Sequence, residues 1–148
     1  MENIDGINCI NIYSKGETAL GRSLSNFSDC NINISLGYFR TIEGLIFYLQ
    51  SFDERFRILN GPECKNLSKQ LDRTKVIIPE NIFKRFIIEA MYSKINTDPD
   101  LKCAIKDSEL KFVHYYSYFG NKIYIPEWDW QIQIWEKIRK ELKDKELY

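Results

Sequence analysis

At 148 residues, with 44% apolar and 14% aromatic content, the chain is long enough to bury the core of one folded domain spanning residues 1–148, and its composition is not that of a disordered protein. Lys and Arg total 21 and Asp and Glu total 21, so the net charge is zero, whereas a protein that grips a nucleic-acid backbone along its length carries a basic excess. Any nucleic-acid partner is therefore expected to be held locally, at one end or one modified base. No apolar run nears the roughly 18–20 residues that span a bilayer, and the start lacks the basic-then-apolar layout of a signal peptide, so no membrane contact and a cytosolic location are expected.

In chain order, residues 7–13 (INCINIY) alternate apolar and polar and predict a strand. Residues 14–21 have turn chemistry. Residues 31–34 (NINI) predict a second short strand, closed by a turn at Gly37. Thr41 is a good N-cap for a helix over residues 42–52, whose apolar side chains run nearly all round it and predict a buried, central position. Two shorter helices over 53–59 and 63–71 are expected on either side of a break at Gly61-Pro62. Pro79 opens an amphipathic helix whose stripe is Ile82, Phe83, Phe86, Ile87, Ala90 and Met91, which is core. Asp98-Pro99 starts a further helix through Ile105. An aromatic strand over 112–119 (FVHYYSYF) turns at Gly120-Asn121 into a strand at 123–125. A last helix, from about Asp129 to Glu146, carries Ile132, Trp135, Ile138 and Leu142 on one face. The sum is a single α+β domain, mostly helical, with a small sheet.

Cys9, Cys30, Cys64 and Cys103 are widely spaced, no C-x-x-C pair occurs, and His114 is the single histidine. Buried free thiols, and no metal site or cofactor, are the expectation.

Two segments concentrate the chemistry. GRSLSNF, residues 21–27, puts Gly21, Arg22, Ser25, Asn26 and Phe27 in a polar turn, where glycine admits close approach by a ligand and a guanidinium forks onto phosphate. YFRTIEGLIFYL, residues 38–49, delivers Glu43 at the start of an aromatic helix. An acidic residue there is favoured by the helix dipole whatever the function. Facing a pocket, its protonation would instead be set by desolvation and the helix terminus in opposition. Arg22 reads equally as a surface arginine, and Asn26 as a residue satisfying its own turn. Lys65 and Lys69 read as a solvated face. His114 fits a hydrogen-bonded core position. Tyr115, Tyr116, Tyr118 and Phe119 cannot all point inward from one strand, which leaves some to stack on a base. Asp129, beside Trp128, is an N-cap or a second pocket carboxylate.

The whole chain resembles the NADAR family, also called YbiA-like. The blocks run in order: GRSLSNF, FRTIEGLIFYL, LNGPECKNLSKQL, FVHYYSYFG, and a terminal amphipathic helix bearing Trp135 and Arg139. The first two are specific: a small-LSNF turn, then a Thr/Ser-x-Glu helix start whose glutamate is Glu43. Lys65 falls on a lysine often seen before the family's K-x-x-G-R pattern, which here reads KNLSK, with Ser68 and Lys69 replacing glycine and arginine. Tyr118-Phe119-Gly120 and Asp129 stand where many members carry later signatures.

The resemblance implies a mostly helical α+β fold and N-glycosidase chemistry, with substrates that include ADP-ribose on guanine bases and phosphorylated intermediates of riboflavin synthesis. Some members act as antitoxins beside DNA ADP-ribosyltransferases, and others occur in bacteriophages, where the host cytoplasm would be the setting. On this reading Glu43 stabilises oxocarbenium-like charge or handles the attacking water, with Lys65 and Asp129 as further catalytic candidates. Gly21, Arg22, Ser25, Asn26 and Phe27 form the phosphate and ribose turn, and His114, Tyr115, Tyr116 and Trp128 line the base. The partner is an ADP-ribose-containing substrate, with ADP-ribosylated guanine in DNA first among them. RNA, a free nucleotide, a phosphoribosylated metabolite, a non-catalytic binder and a protein inhibitor on the same scaffold all stay open, as does the oligomeric state.

Overall fold

A computed structural model of the chain describes residues 1–72 and 78–145. In chain order the elements are β1 (Cys9–Asn11), α1 (Ala19–Leu24), β2 (Ile32–Ile34), β3 (Gly37–Phe39), α2 (Ile42–Ser51), α3 (Gly61–Ser68), α4 (Glu80–Asn96), α5 (Pro99–Asp107), β4 (Lys111–Val113), β5 (Tyr115–Tyr118), β6 (Asn121–Tyr124) and α6 (Asp129–Asp144). Short 3-10 turns lie at Glu54–Arg57 and Pro126–Trp128. This is the expected helix-dominated α+β architecture. The chain divides into two compact units, one of Asn26–Asp98 and one of Met1–Ser25 with Pro99–Tyr148.

In the unit Asn26–Asp98, β2 and β3 pair antiparallel, with Ile32 opposite Phe39 and Ile34 opposite Gly37. The two-residue turn between them is Ser35-Leu36, just before the expected Gly37, which opens β3 at φ of 102°, a value that glycine adopts at no steric cost. The Thr41 hydroxyl accepts from the Gly44 N–H at 2.9 Å and starts α2. Ile42, Leu45, Ile46, Phe47 and Leu49 of α2 are buried, so this helix is the centre of the unit. Phe52, in the left-handed region at φ 56°, ends it. The helix expected over 53–59 is only a 3-10 turn over Glu54–Arg57, started by the Asp53 carboxylate, which takes the Arg55 N–H at 3.0 Å.

Gly61-Pro62 begins α3 instead of interrupting a helix. Asn60 Oδ1 accepts from Glu63 N at 2.9 Å and Glu63 Oε1 accepts from Asn60 N at 3.0 Å, a reciprocal cap. Proline, lacking an N–H, fits the first turn that this cap creates. Helix α4 packs on β2 and α2, and Ile87, Ala90 and Met91 on it are buried.

In the other unit, β1 and β4 are parallel, with Ile10 opposite Phe112. The first strand is shorter than expected: Ile7 lies in a turn whose N–H bonds to Ile4 O at 3.0 Å. Where the sequence reads as a turn, Thr18 caps α1 by accepting from Gly21 N at 2.9 Å, so Gly21 and Arg22 are helical. The aromatic stretch 112–119 is not one strand. Asn11, 2% exposed, donates from Nδ2 to Tyr115 O and accepts Tyr115 N at Oδ1, both at 3.0 Å. It thereby diverts the backbone after His114 from β4 into the β5–β6 hairpin. Phe119 and Gly120, both at positive φ, form the two-residue turn of that hairpin, one residue earlier than expected. Helix α6 buries Trp135, Ile138 and Leu142, with Ile132 half-buried. The expected helix end at Glu146 lies outside the described residues.

Cys9 and Cys64 are buried thiols, but Cys30 is half-buried and Cys103 is exposed on α5, which corrects the expectation of four buried thiols. Among the described residues no helix is long and apolar enough to cross a membrane.

Candidate functional site

The chemistry-bearing residues are divided between the units, and the chain passes from one to the other between Ser25 and Asn26. In the unit Asn26–Asp98 the structure brings Asn26, Phe27, Glu43 and Lys65 together. Glu43 occupies the second position of α2 and is half-buried. Its backbone N–H, one of the donors a helix start leaves unmatched, bonds to the Asn26 carbonyl at 3.0 Å. That bond ties the SNF turn to the start of α2.

Phe27 then lies across the first turn of α3. A Cβ at Gly61 would stand 2.8 Å from the Cα, Cβ and Cγ of Phe27, so only glycine admits the ring this closely. Lys65, one turn along α3 and exposed, holds its ammonium 5.9 Å from the centre of the Phe27 ring, within cation–π range. The same close packing joins α2 to α3: at Gly44 a Cβ would overlap the Phe56 carbonyl oxygen and lie 3.4 Å from Cys64 Sγ. Burial pushes the Cys64 thiol up to about 11, the Thr41 hydrogen bond opposes the rise, and the charges of Glu43 and Glu63 add to it. Cys64 is therefore a neutral, inert group behind the glutamate.

The turn is anchored further along. Arg40 grips Asp29 with two parallel bonds, Nε to Oδ1 at 2.9 Å and Nη2 to Oδ2 at 3.0 Å, and Cys30 N bonds to Arg40 O at 2.9 Å. Both side chains of the ion pair face solvent, which screens it, so its use is to hold the loop's shape more than to add stability.

In the other unit, Gly21 packs α1 on β1, because a Cβ there would overlap the Asn11 carbonyl oxygen. Arg22 is exposed and its Nη1 donates to Gly16 O at 2.8 Å, which commits part of the guanidinium to the preceding loop. Ser25 is the buried C-cap of α1, its N–H bonded to Arg22 O at 3.3 Å. His114 Nδ1 lies 2.6 Å from Ile12 O. A carbonyl only accepts, so Nδ1 carries the proton and Nε2 of the neutral ring is the acceptor. The ring meets Tyr116 edge-on at 5.0 Å, and Tyr116 meets Tyr13 at 5.4 Å.

Tyr115, expected to face a base, is 4% exposed and packs on Tyr124 at 5.3 Å, so it is core. Alternation from this buried residue turns Tyr116 and Tyr118 outward. Trp128 is half-buried and stacked on Trp130 at 5.8 Å. Asp129 is exposed and is the first residue of α6 and not its cap, which is Trp128. Among the described residues, no three His, Cys, Asp or Glu side chains gather closely enough to hold a metal ion.

The fold is similar to that of a solved structure, the NMR structure of the E. coli protein YbiA. The TM-score is 0.67 at 15% sequence identity, over 95% of this chain and 88% of that one. The chain has a YbiA-like fold. At this identity the likeness reaches the path of the backbone and stops short of the chemistry. No protein-family model matches the sequence, and no curated protein matches it.

Sequence reasoning missed three contributors to this candidate site. Gly61 and Asn60 were hidden by the reading of Gly-Pro as a breaker, although Asn-x-x-Glu is itself a cap pattern. Lys94 was passed over on a core helix, although a lysine three and four residues beyond Met91 and Ala90 is a charge on an apolar stripe.

Proposed function

We propose that the chain is an N-glycosidase that hydrolyses the ribosyl C–N bond of ADP-ribose attached to a guanine base in DNA. The observation that carries the reading is the bond from the Glu43 amide to the Asn26 carbonyl. It fixes a half-buried carboxylate beside a turn bearing an amide and an aromatic ring, with a lysine ammonium over that ring.

Cleavage of a ribosyl C–N bond builds positive charge on the anomeric carbon and its ring oxygen. A carboxylate held near that carbon stabilises the charge and accepts a proton from the attacking water. The water oxygen bonds to the anomeric carbon, the C–N bond breaks, and a proton reaches the departing guanine nitrogen. Glu43 takes the first role, Asn26 holds a ribose hydroxyl, Phe27 offers a face to the ribose or base, and Lys65 balances phosphate charge. Such an activity would undo nucleic-acid ADP-ribosylation, the task of an antitoxin or of a phage protein acting against host defence.

A comparison of substrates tests the reading. Wild-type protein is given a guanine-ADP-ribosylated oligonucleotide, ADP-ribosylated guanosine as the free nucleoside, and a phosphoribosylated pyrimidine, with products identified by mass. Release of ADP-ribose from the oligonucleotide is the expected result. Turnover of the pyrimidine alone would replace the reading with a metabolite glycosidase. Tight binding of an unchanged ligand would replace it with a sequestering protein.

A further inference from the structure

Lys94 lies on the apolar stripe of α4 and is 1% exposed. Its ammonium donates to the Ser28 hydroxyl at 2.6 Å. Ser28 stands two residues beyond Asn26, whose carbonyl receives the Glu43 amide. Neighbouring polar groups at the end of α4 hold the residues that follow: Ser93 Oγ accepts from Asn33 N in β2 at 2.8 Å, and Thr97 Oγ1, at the C-cap, donates to Asn31 O at 2.8 Å. The last turns of α4 therefore grip the segment that leads out of the SNF turn.

A buried ammonium is an unfavourable choice for a core helix unless its hydrogen bonds are needed. Another side-chain anchor of this segment, Arg40 on Asp29, is exposed and screened by solvent, whereas Lys94 in the bond to Ser28 is buried. We infer that Lys94 is a positioning residue: through Ser28 it fixes the Asn26–Phe27 turn, and through the Asn26 carbonyl it fixes the start of α2 and the aim of Glu43. Its effect on catalysis rests on the N-glycosidase reading, while its effect on geometry does not.

The test is amide hydrogen exchange on the unliganded full chain, comparing wild type with Lys94→Met and with Ser28→Ala, which removes the hydroxyl and leaves the core helix intact. The Glu43 amide is expected to exchange about tenfold faster or more in each variant, while the Leu49 amide in the interior of α2 stays within about twofold. On the ADP-ribosylated oligonucleotide, kcat is expected to fall with KM unchanged, as for a misaimed catalytic group. An unchanged Glu43 amide in Ser28→Ala overturns the inference. Equal acceleration of Glu43 and Leu49 in both variants also overturns it, because Lys94 then supports the unit as a whole. If wild type releases nothing yet the Glu43 amide responds alone, the glycosidase reading fails and the positioning role stands.

Discussion

Glu43 has a structural use and a chemical one, and its replacement separates them. At the second position of α2 its charge favours the helix by about 0.3–1 kcal/mol. Glu43→Gln keeps the shape and the backbone bond to Asn26, so the melting temperature is expected to move by only a few degrees for a loss of that size. Turnover is expected to fall on the order of 10²–10⁴-fold. Calorimetry beside a product assay distinguishes the two uses, and unfolding of the variant would make the glutamate a capping residue. Arg22 is the converse case. With Nη1 on Gly16 O but the side chain exposed to competing water, Arg22→Ala is expected to lower stability by roughly 0.5–1 kcal/mol, and urea titration reads it. Gly61→Ala drives a Cβ into Phe27 and is expected to cost about 1–3 kcal/mol while displacing the ring that Lys65 faces.

Helix α4 makes a prediction about pH. Burial lowers Lys94 from its ordinary 10.5 to about 8, and the charges of Cys30 and Asp98 oppose the shift. Between those two values the unfolded chain holds the proton and the folded chain has lost it, so this group makes stability rise with pH across the window. Below about 8 both states carry the charge and its burial penalty is fully present. Wild type is therefore expected to gain stability relative to Lys94→Met between pH 8 and 10, and parallel denaturation curves over that range would contradict it. Elements whose signals are local were legible in the sequence: the Thr41 cap and all-round apolar run of α2, the stripe of α4, the face of α6. Those that a distant partner decides were not. Asn11 splits the aromatic stretch after His114 from 104 residues away, and no period along the stretch records that. Thr18 and Asn60 turned a reading of breakers into helix starts, because the capping side chain outweighs the glycine that follows it.

Over the whole molecule, equal numbers of acidic and basic residues mean that, on the proposed function, the nucleic-acid partner is held locally and not along its backbone. Affinity for a modified oligonucleotide is expected to depend weakly on salt, with a log–log slope no steeper than about −2, against the far steeper slopes of proteins that track the backbone. A steep slope measured by fluorescence anisotropy would require an extended basic surface that the composition does not supply. The YbiA-like path of the backbone was legible through the family resemblance that two short blocks, SNF and TIEG, carry, and the bond from the Glu43 amide to the Asn26 carbonyl joins those blocks. The aromatic residues were less legible, since composition counts tyrosines without saying which face each takes; Tyr115 went to the core and Tyr116 outward. Hydrolysis at Glu43 is most directly tested by incubating a guanine-ADP-ribosylated DNA oligonucleotide with wild type and with Glu43→Gln, both shown to be folded, and weighing the products. Release of ADP-ribose by wild type, and release slower by on the order of 10²-fold or more by the variant, is the predicted result. Equal release by both proteins, or an intact oligonucleotide with both, would contradict it.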